Sequence, residues 1–142
     1  MLFATLVWAR YTALRLTLPA RYRRMSLPAL LSSIEGDARV SASGSPPVAV
    51  QGLEAGFRRI DGVLARVPGL PGTCLFRALG RYGALVSAGY DAVLHLGLEP
   101  APGPDLVGHA WVAVAGVPLD DDARGYVATF VHSLERRGAP SE

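Results

Sequence analysis

The sequence predicts an α+β domain in which N-terminal helices are followed by a small antiparallel sheet. Apolar residues recur at helical spacing through most of the stretch from Leu2 to Val86, and strand-like runs follow at Tyr90–Leu98, His109–Val114 and Val117–Leu119. Helices gathered ahead of strands, rather than alternating with them, favour an antiparallel sheet packed on helices. The chain has 142 residues, half of them hydrophobic and 18% charged. That is one domain with a single core, and it excludes an intrinsically disordered chain.

The first element is a helix. Leu2, Leu6, Ala9, Ala13 and Leu16 step at helical spacing, and Pro19 predicts a stop near Leu18, because a residue before proline is pushed out of helical geometry. Ser26 is a suitable N-cap for a second short helix to about Ile34, with Pro28 in its first turn. Gly36–Pro47 is rich in Gly, Ser, Ala and Pro and reads as a loop or linker. Leu53, Phe57, Ile60, Leu64 and Val67 then mark an amphipathic helix. The run Pro68-Gly69-Leu70-Pro71-Gly72 breaks it, and Thr73 is placed to cap the next helix, which carries Cys74 and ends at Gly89.

The C-terminal third changes character. Tyr90–Leu98 reads as a strand and the proline-containing Glu99–Gly108 as a loop. His109–Val114 is a strand, Ala115-Gly116 a tight turn and Val117–Leu119 the return. Asp120–Gly125 is polar and turn-like. Tyr126–Leu134 fits either a helix or a strand, because its apolar residues suit the first and its β-branched content the second.

Charge and cysteine usage narrow the function. The net charge is +2, too small to mark a nucleic-acid binder. Every basic residue among the 14 is arginine, and Arg10, Arg15, Arg21, Arg23 and Arg24 form a basic N-terminal patch suited to an acidic partner or anionic lipid. The apolar stretch Met1–Ala9 falls short of the roughly 20 residues a membrane span needs. Its arginines follow the apolar stretch, whereas a secretory signal puts positive charge first. No transmembrane segment is expected. A single cysteine excludes an intramolecular disulfide and a Cys-rich zinc site, and it fits a reducing, cytoplasmic location.

Three residue types could carry chemistry. Cys74 lies at the predicted first turn of a helix, where the dipole and unpaired N–H groups favour a thiolate and offer an oxyanion hole. A free cysteine is also a common inert core residue. His109 begins a predicted strand and suits a general base, since imidazole titrates near neutral pH. His95 and His132 are its rivals, and an ordinary surface or core histidine is the bland reading of all three. Asp120, Asp121 and Asp122 follow the returning strand, where a carboxylate could orient an imidazole. A solvated turn is the bland reading, and the run lacks the pattern of a calcium loop. The order Cys–His–Asp, on a helix start, a strand start and a returning strand, is more specific than any of its parts.

The runs Cys74-Leu75-Phe76-Arg77-Ala78-Leu79 and His109-Ala110-Trp111-Val112, with a turn at Gly116 leading to aspartate, resemble the leader peptidases of lasso-peptide biosynthesis. These are members of the transglutaminase-like superfamily, and the likeness covers about Leu64 to Asp122. The overall length resembles their stand-alone form. The resemblance implies a transglutaminase-like (papain-like) cysteine peptidase core at 51–134, an N-terminal helical segment and linker at 1–50 packed on it, and a flexible tail at 135–142. It implies Cys74 as nucleophile, His109 as base and Asp121 as the third member of a triad, with Asp120 the close alternative. Arg77 and Trp111 become candidate substrate contacts. Ala113 departs from the acidic residue common in the family after H-A-W-V. The implied activity is removal of the leader from a lasso precursor peptide. The implied partners are a small leader-recognition protein and an ATP-dependent cyclase. No metal or organic cofactor is implied, and no phosphate-binding glycine loop is present to suggest intrinsic ATP use. The same superfamily implies two alternatives: an acyl transferase with an amine in place of water, or a non-catalytic scaffold of the same fold.

Overall fold

The structure, a computed structural model, describes residues 2–41, 48–99, 107–119 and 127–133. Four helices come first: α1 (Leu2–Arg24), α2 (Leu27–Ser41), α3 (Gln51–Leu64) and α4 (Cys74–Ser87). Four strands follow: β1 (Ala92–Glu99), β2 (Val107–Val114), β3 (Val117–Pro118) and β4 (Val127–Ser133). They form one antiparallel sheet in the order β3-β2-β1-β4. This is the α+β architecture the sequence predicts.

Helix α4 is the centre of the domain. Every residue from Ala78 to Val86 is buried, with α1 and α2 on one side and β1 and β2 on the other. A helix stretch buried on all sides must be apolar on all sides, and Ala78–Val86 is, apart from Arg81 and the Tyr82 hydroxyl. Glycine permits its close contacts. A Cβ at Gly83 would lie 2.7 Å from Leu14 Cδ1 and 2.8 Å from Ile34 Cγ2, so neither α1 nor α2 could approach as closely with alanine there. The helix ends in a Schellman motif. The Tyr90 N–H donates to the Leu85 carbonyl at 3.0 Å and the Gly89 N–H to Val86 at 3.1 Å, with Gly89 at φ 94°.

Three expectations at the N-terminal end need correction. Helix α1 does not stop at Leu18 but runs through Pro19 to Arg24. Proline removes one helical hydrogen bond. Tertiary packing outweighs that loss, because Leu14 and Leu18 are buried before it and the Tyr22 ring meets Phe76 edge-on at 5.5 Å after it. Second, the face of α1 turned to the core is Val7, Tyr11, Leu14, Arg15 and Leu18, whereas Leu2, Leu6, Ala9, Ala13 and Leu16 are exposed. Third, α2 continues past Ile34 and Gly36 to Ser41; the rest of the expected loop, 42–47, lies outside the described residues. Its start is as expected, with the Ser26 hydroxyl accepting from the Ala29 N–H at 3.3 Å.

The remaining elements follow their local signals. Helix α3 buries Leu53, Phe57 and Leu64 and ends before Val67, which is exposed. Ala115 (φ 52°) and Gly116 (φ 78°) form the two-residue turn between β2 and β3. Both central residues of such a turn need positive φ, which is why glycine sits there. Strand β2 begins at Val107, so His109 is its third residue rather than its first. The ambiguous C-terminal segment is a strand, β4, paired along β1 from Leu98↔Val127 to Val93↔Ser133.

The two faces of the sheet differ. Ala92, Leu94, Ala110 and Val112 belong to the core beneath the helices. By strand alternation His95, Trp111 and His109 share the other face, in the register His95↔Trp111 and Gly97↔His109.

Candidate active site

Cys74 is the first residue of α4, held there by the Pro/Gly break and by Thr73, whose extended backbone (φ −69°, ψ 154°) starts the helix. The first helical hydrogen bond is donated by the Arg77 N–H to the Thr73 carbonyl at 3.2 Å. The N–H groups ahead of it have no partner within the helix, and the Thr73 hydroxyl does not cap them. Donors therefore point outward beside a half-buried free thiol.

A cleft opens between this helix start and β2. Cys74, Arg77, Ala78 and Arg81 line one wall, on one stripe of α4 at i, i+3, i+4 and i+7. His109, Ala110, Trp111 and Val112 line the other, and the small pocket between them is partly open to solvent. β3 pairs with β2 at Ala113 and Val114, and the Leu119 N–H donates to the Val112 carbonyl at 3.0 Å.

The structure thus brings Cys74, His109, Arg77 and Trp111 to one cleft. There the His109 ring stacks on Trp111 at 5.8 Å and 19°. Trp111 is buried, lies over Gly97, and stacks on its other neighbour His95 at 5.2 Å and 3°. Asp120, Asp121 and Asp122 lie outside the described residues. The rival histidines are placed elsewhere. His95 is in the aromatic stack, its pKa lowered by burial, with Nδ1 buried and unpartnered. His132 reaches under the sheet to Glu35 of α2, which also accepts from the Tyr82 hydroxyl at 2.9 Å. Desolvation, then the bond to Glu35, pushes the Tyr82 phenol well above its ordinary range. Among the described residues, no group of three or more His, Cys, Asp or Glu side chains is arranged to hold a metal ion.

Sequence reasoning did not reveal the ionic cluster behind the cleft. Asp61 of α3 accepts from Arg15, from the Tyr11 hydroxyl and, at 2.8 Å, from Arg81. Arg15 is only 2% exposed, so it belongs to the core and not to the basic patch the sequence suggested. Desolvation first, then the bond to Asp61, raises the Tyr11 pKa to about 12. The signal was present. Asp61 sits four residues after Phe57 and three before Leu64, and Arg15 four after Tyr11, so both charges fall on buried stripes.

The domain is α+β, with a cysteine at the start of its central helix that shares a cleft with a strand histidine. The sequence profile of the transglutaminase-like superfamily matches residues 14–135, and the chain belongs to that superfamily, which includes cysteine peptidases and acyl transferases. No curated protein and no solved structure matches the chain significantly. Among the described residues no helix is long and apolar enough to cross a membrane.

Proposed function

We propose that the protein is a cysteine peptidase that removes the leader from a ribosomally made lasso precursor peptide. The observation that carries this is the half-buried Cys74 thiol at the first turn of α4, in one cleft with His109. The C-L-x-R-A-L and H-A-W-V runs that resemble the lasso leader peptidases supply the wall residues of that cleft. On this reading His109 closes on the sulfur when peptide fills the cleft, as catalytic hydrogen bonds commonly tighten only in the substrate complex. It takes the Cys74 proton, and the thiolate attacks the carbonyl of the last leader residue. The outward N–H groups at the start of α4 hold the oxyanion. Protonated His109 gives its proton to the leaving amine, which becomes the N-terminus of the core peptide. Water then hydrolyses the thioester, releasing the leader acid and the free thiol. Asp121, or Asp120, orients the imidazole; Arg77 and Trp111 contact the substrate. A small leader-recognition protein delivers the precursor, and an ATP-dependent cyclase takes the product.

The test is cleavage of a synthetic lasso precursor peptide, followed by mass spectrometry with a leader-recognition protein present. Cys74→Ala and His109→Ala each lower the rate by about a thousandfold or more. Undiminished cleavage by Cys74→Ala would end the proposal. Addition of a primary amine separates the acyl-transferase alternative, which yields a leader amide in place of the leader acid.

A further inference from the structure

The exposed face of α1 is built as a helix-docking seam. Leu2, Leu6, Ala9, Ala13, Leu16 and Ala20 are all exposed, Leu2 at 74%, Leu6 at 60% and Leu16 at 52%. Their steps are four, three, four, three and four, and at 3.6 residues per turn they fall within an arc of about 80°. That is the a/d repeat of a coiled-coil seam, sustained over the length of α1. The opposite side, Val7, Tyr11, Leu14 and Leu18, is already committed to the core. The seam is therefore apolar surface that folding does not use.

Its charge surroundings select the occupant. Helix α1 contains no acidic residue, and its last turn carries Arg21, Arg23 and Arg24, the last two exposed. A second copy of α1 would bring arginine against arginine when parallel, and arginine against the amino-terminal dipole end when antiparallel, with no carboxylate to answer either. The seam is also narrow, with alanine at half of its positions and its larger aromatics, Phe3 and Trp8, turned partly inward. A helix lying in a lipid surface presents a broad, bulky apolar face, whereas alanines along a narrow seam let another helix approach closely.

We infer that α1 docks an amphipathic helix of a partner protein, with leucine-type residues along its seam and acidic residues flanking them. The inference does not rest on the peptidase reading.

The probe is a synthetic 21-residue helix-forming peptide, about three heptads, with Leu at a and d and Glu at e and g. Binding to the full chain is followed by fluorescence anisotropy of the labelled peptide. The intact protein binds it, and Leu6→Glu/Leu16→Glu weakens binding by about tenfold or more. Arg23→Glu/Arg24→Glu weakens it several-fold, and a counterpart peptide with Lys at e and g binds about tenfold less tightly. All substituted residues are on the surface, and unchanged thermal melts confirm intact folding. Three results would each overturn the inference. The first is that the acidic peptide does not bind, or binds the Leu6→Glu/Leu16→Glu protein equally well. The second is wild-type binding to phosphatidylglycerol vesicles that the same substitutions abolish. The third is a concentration-dependent dimer, by sedimentation equilibrium, that they dissolve.

Discussion

Removing the carboxylate of Asp61 tests how far the buried ionic cluster supports the domain. Arg15 and Tyr11 both donate to one Asp61 oxygen, and Arg81 donates to the other at 2.8 Å. Arg15 is 2% exposed and Arg81 6%, so Asp61→Ala removes the carboxylate that neutralises two buried guanidinium groups. Breaking a buried pair by deleting one partner costs about 3–5 kcal/mol, most of it the penalty of the uncompensated charge. That is a large share of the roughly 5–15 kcal/mol that holds a domain of this size together. With a change of about 2–4 °C in Tm per kcal/mol, the melting temperature falls by about 10 °C. Urea unfolding followed through Trp8, whose indole N–H donates to the Leu53 carbonyl of α3 at 3.2 Å, reads the same loss as a lower midpoint with an unchanged slope. Replacing all three partners by apolar residues, Arg15→Met/Asp61→Leu/Arg81→Met, recovers most of it, because no charge is then left unpaired. A loss below about 1 kcal/mol for Asp61→Ala would place the cluster with screened surface pairs and refute the reasoning.

Two further predictions follow from single groups. The folded-state pKa of Tyr11 lies at about 12 against an ordinary 10.0, so its contribution to stability is full below pH 10 and is lost as pH rises toward 12. Two units correspond to about 2–3 kcal/mol at most, and Tyr11→Phe, compared with wild type in urea melts between pH 8 and 11.5, flattens that part of the alkaline decline; an unaltered decline would show that the phenol is not held neutral by Asp61 and burial. Gly83→Ala forces Leu14 and Ile34 away from contacts of 2.7 and 2.8 Å. Overpacking of about 1–3 kcal/mol exceeds the roughly 1 kcal/mol that alanine gains in helix propensity, so the variant melts lower, and a higher Tm would contradict the close packing.

Features set by neighbouring residues were legible in the sequence. The stripe Leu53-Phe57-Ile60-Leu64, the stop at Gly89 and the Ala115-Gly116 turn each express a local rule, and each is where it was expected. Helix α1 misled for a physical reason. It is apolar on two faces, and spacing alone does not say which face the core takes. The chosen face contains Tyr11 and Arg15, whose polar ends meet each other and the carboxylate of Asp61, 50 and 46 residues away in sequence. Pro19 and β4 misled or stayed ambiguous for the same kind of reason: Leu18 is helical because it is buried, and Val127–Ser133 is extended because it pairs with β1. In the candidate site, the place of Cys74 at a helix start and of His109 on a strand was legible from local signals, whereas Arg77 and Trp111 were named only through the family resemblance. The face on which the His109 ring lies was not, because it depends on stacking with Trp111 and on the register with β1.

The same helix supplies both the core and the cleft, and this links stability to chemistry. A nucleophile must be held within a fraction of an ångström of its target, and rigid elements do this better than loops. On the proposed function, Cys74 gains that rigidity from the thirteen residues behind it in α4, locked by Gly80 and Gly83 against α1 and α2 and closed by the Schellman motif. Arg81 occupies the junction. One guanidinium nitrogen is bound to Asp61, while the side chain forms part of the cleft wall two turns from the thiol. A change at Asp61 therefore reaches the cleft through Arg81 without touching any residue proposed to act on substrate. Arg77, one turn nearer the thiol, is only half-buried. The two arginines of the cleft are thus divided by their surroundings: Arg81 is buried and bonded to Asp61, whereas Arg77 is half-buried.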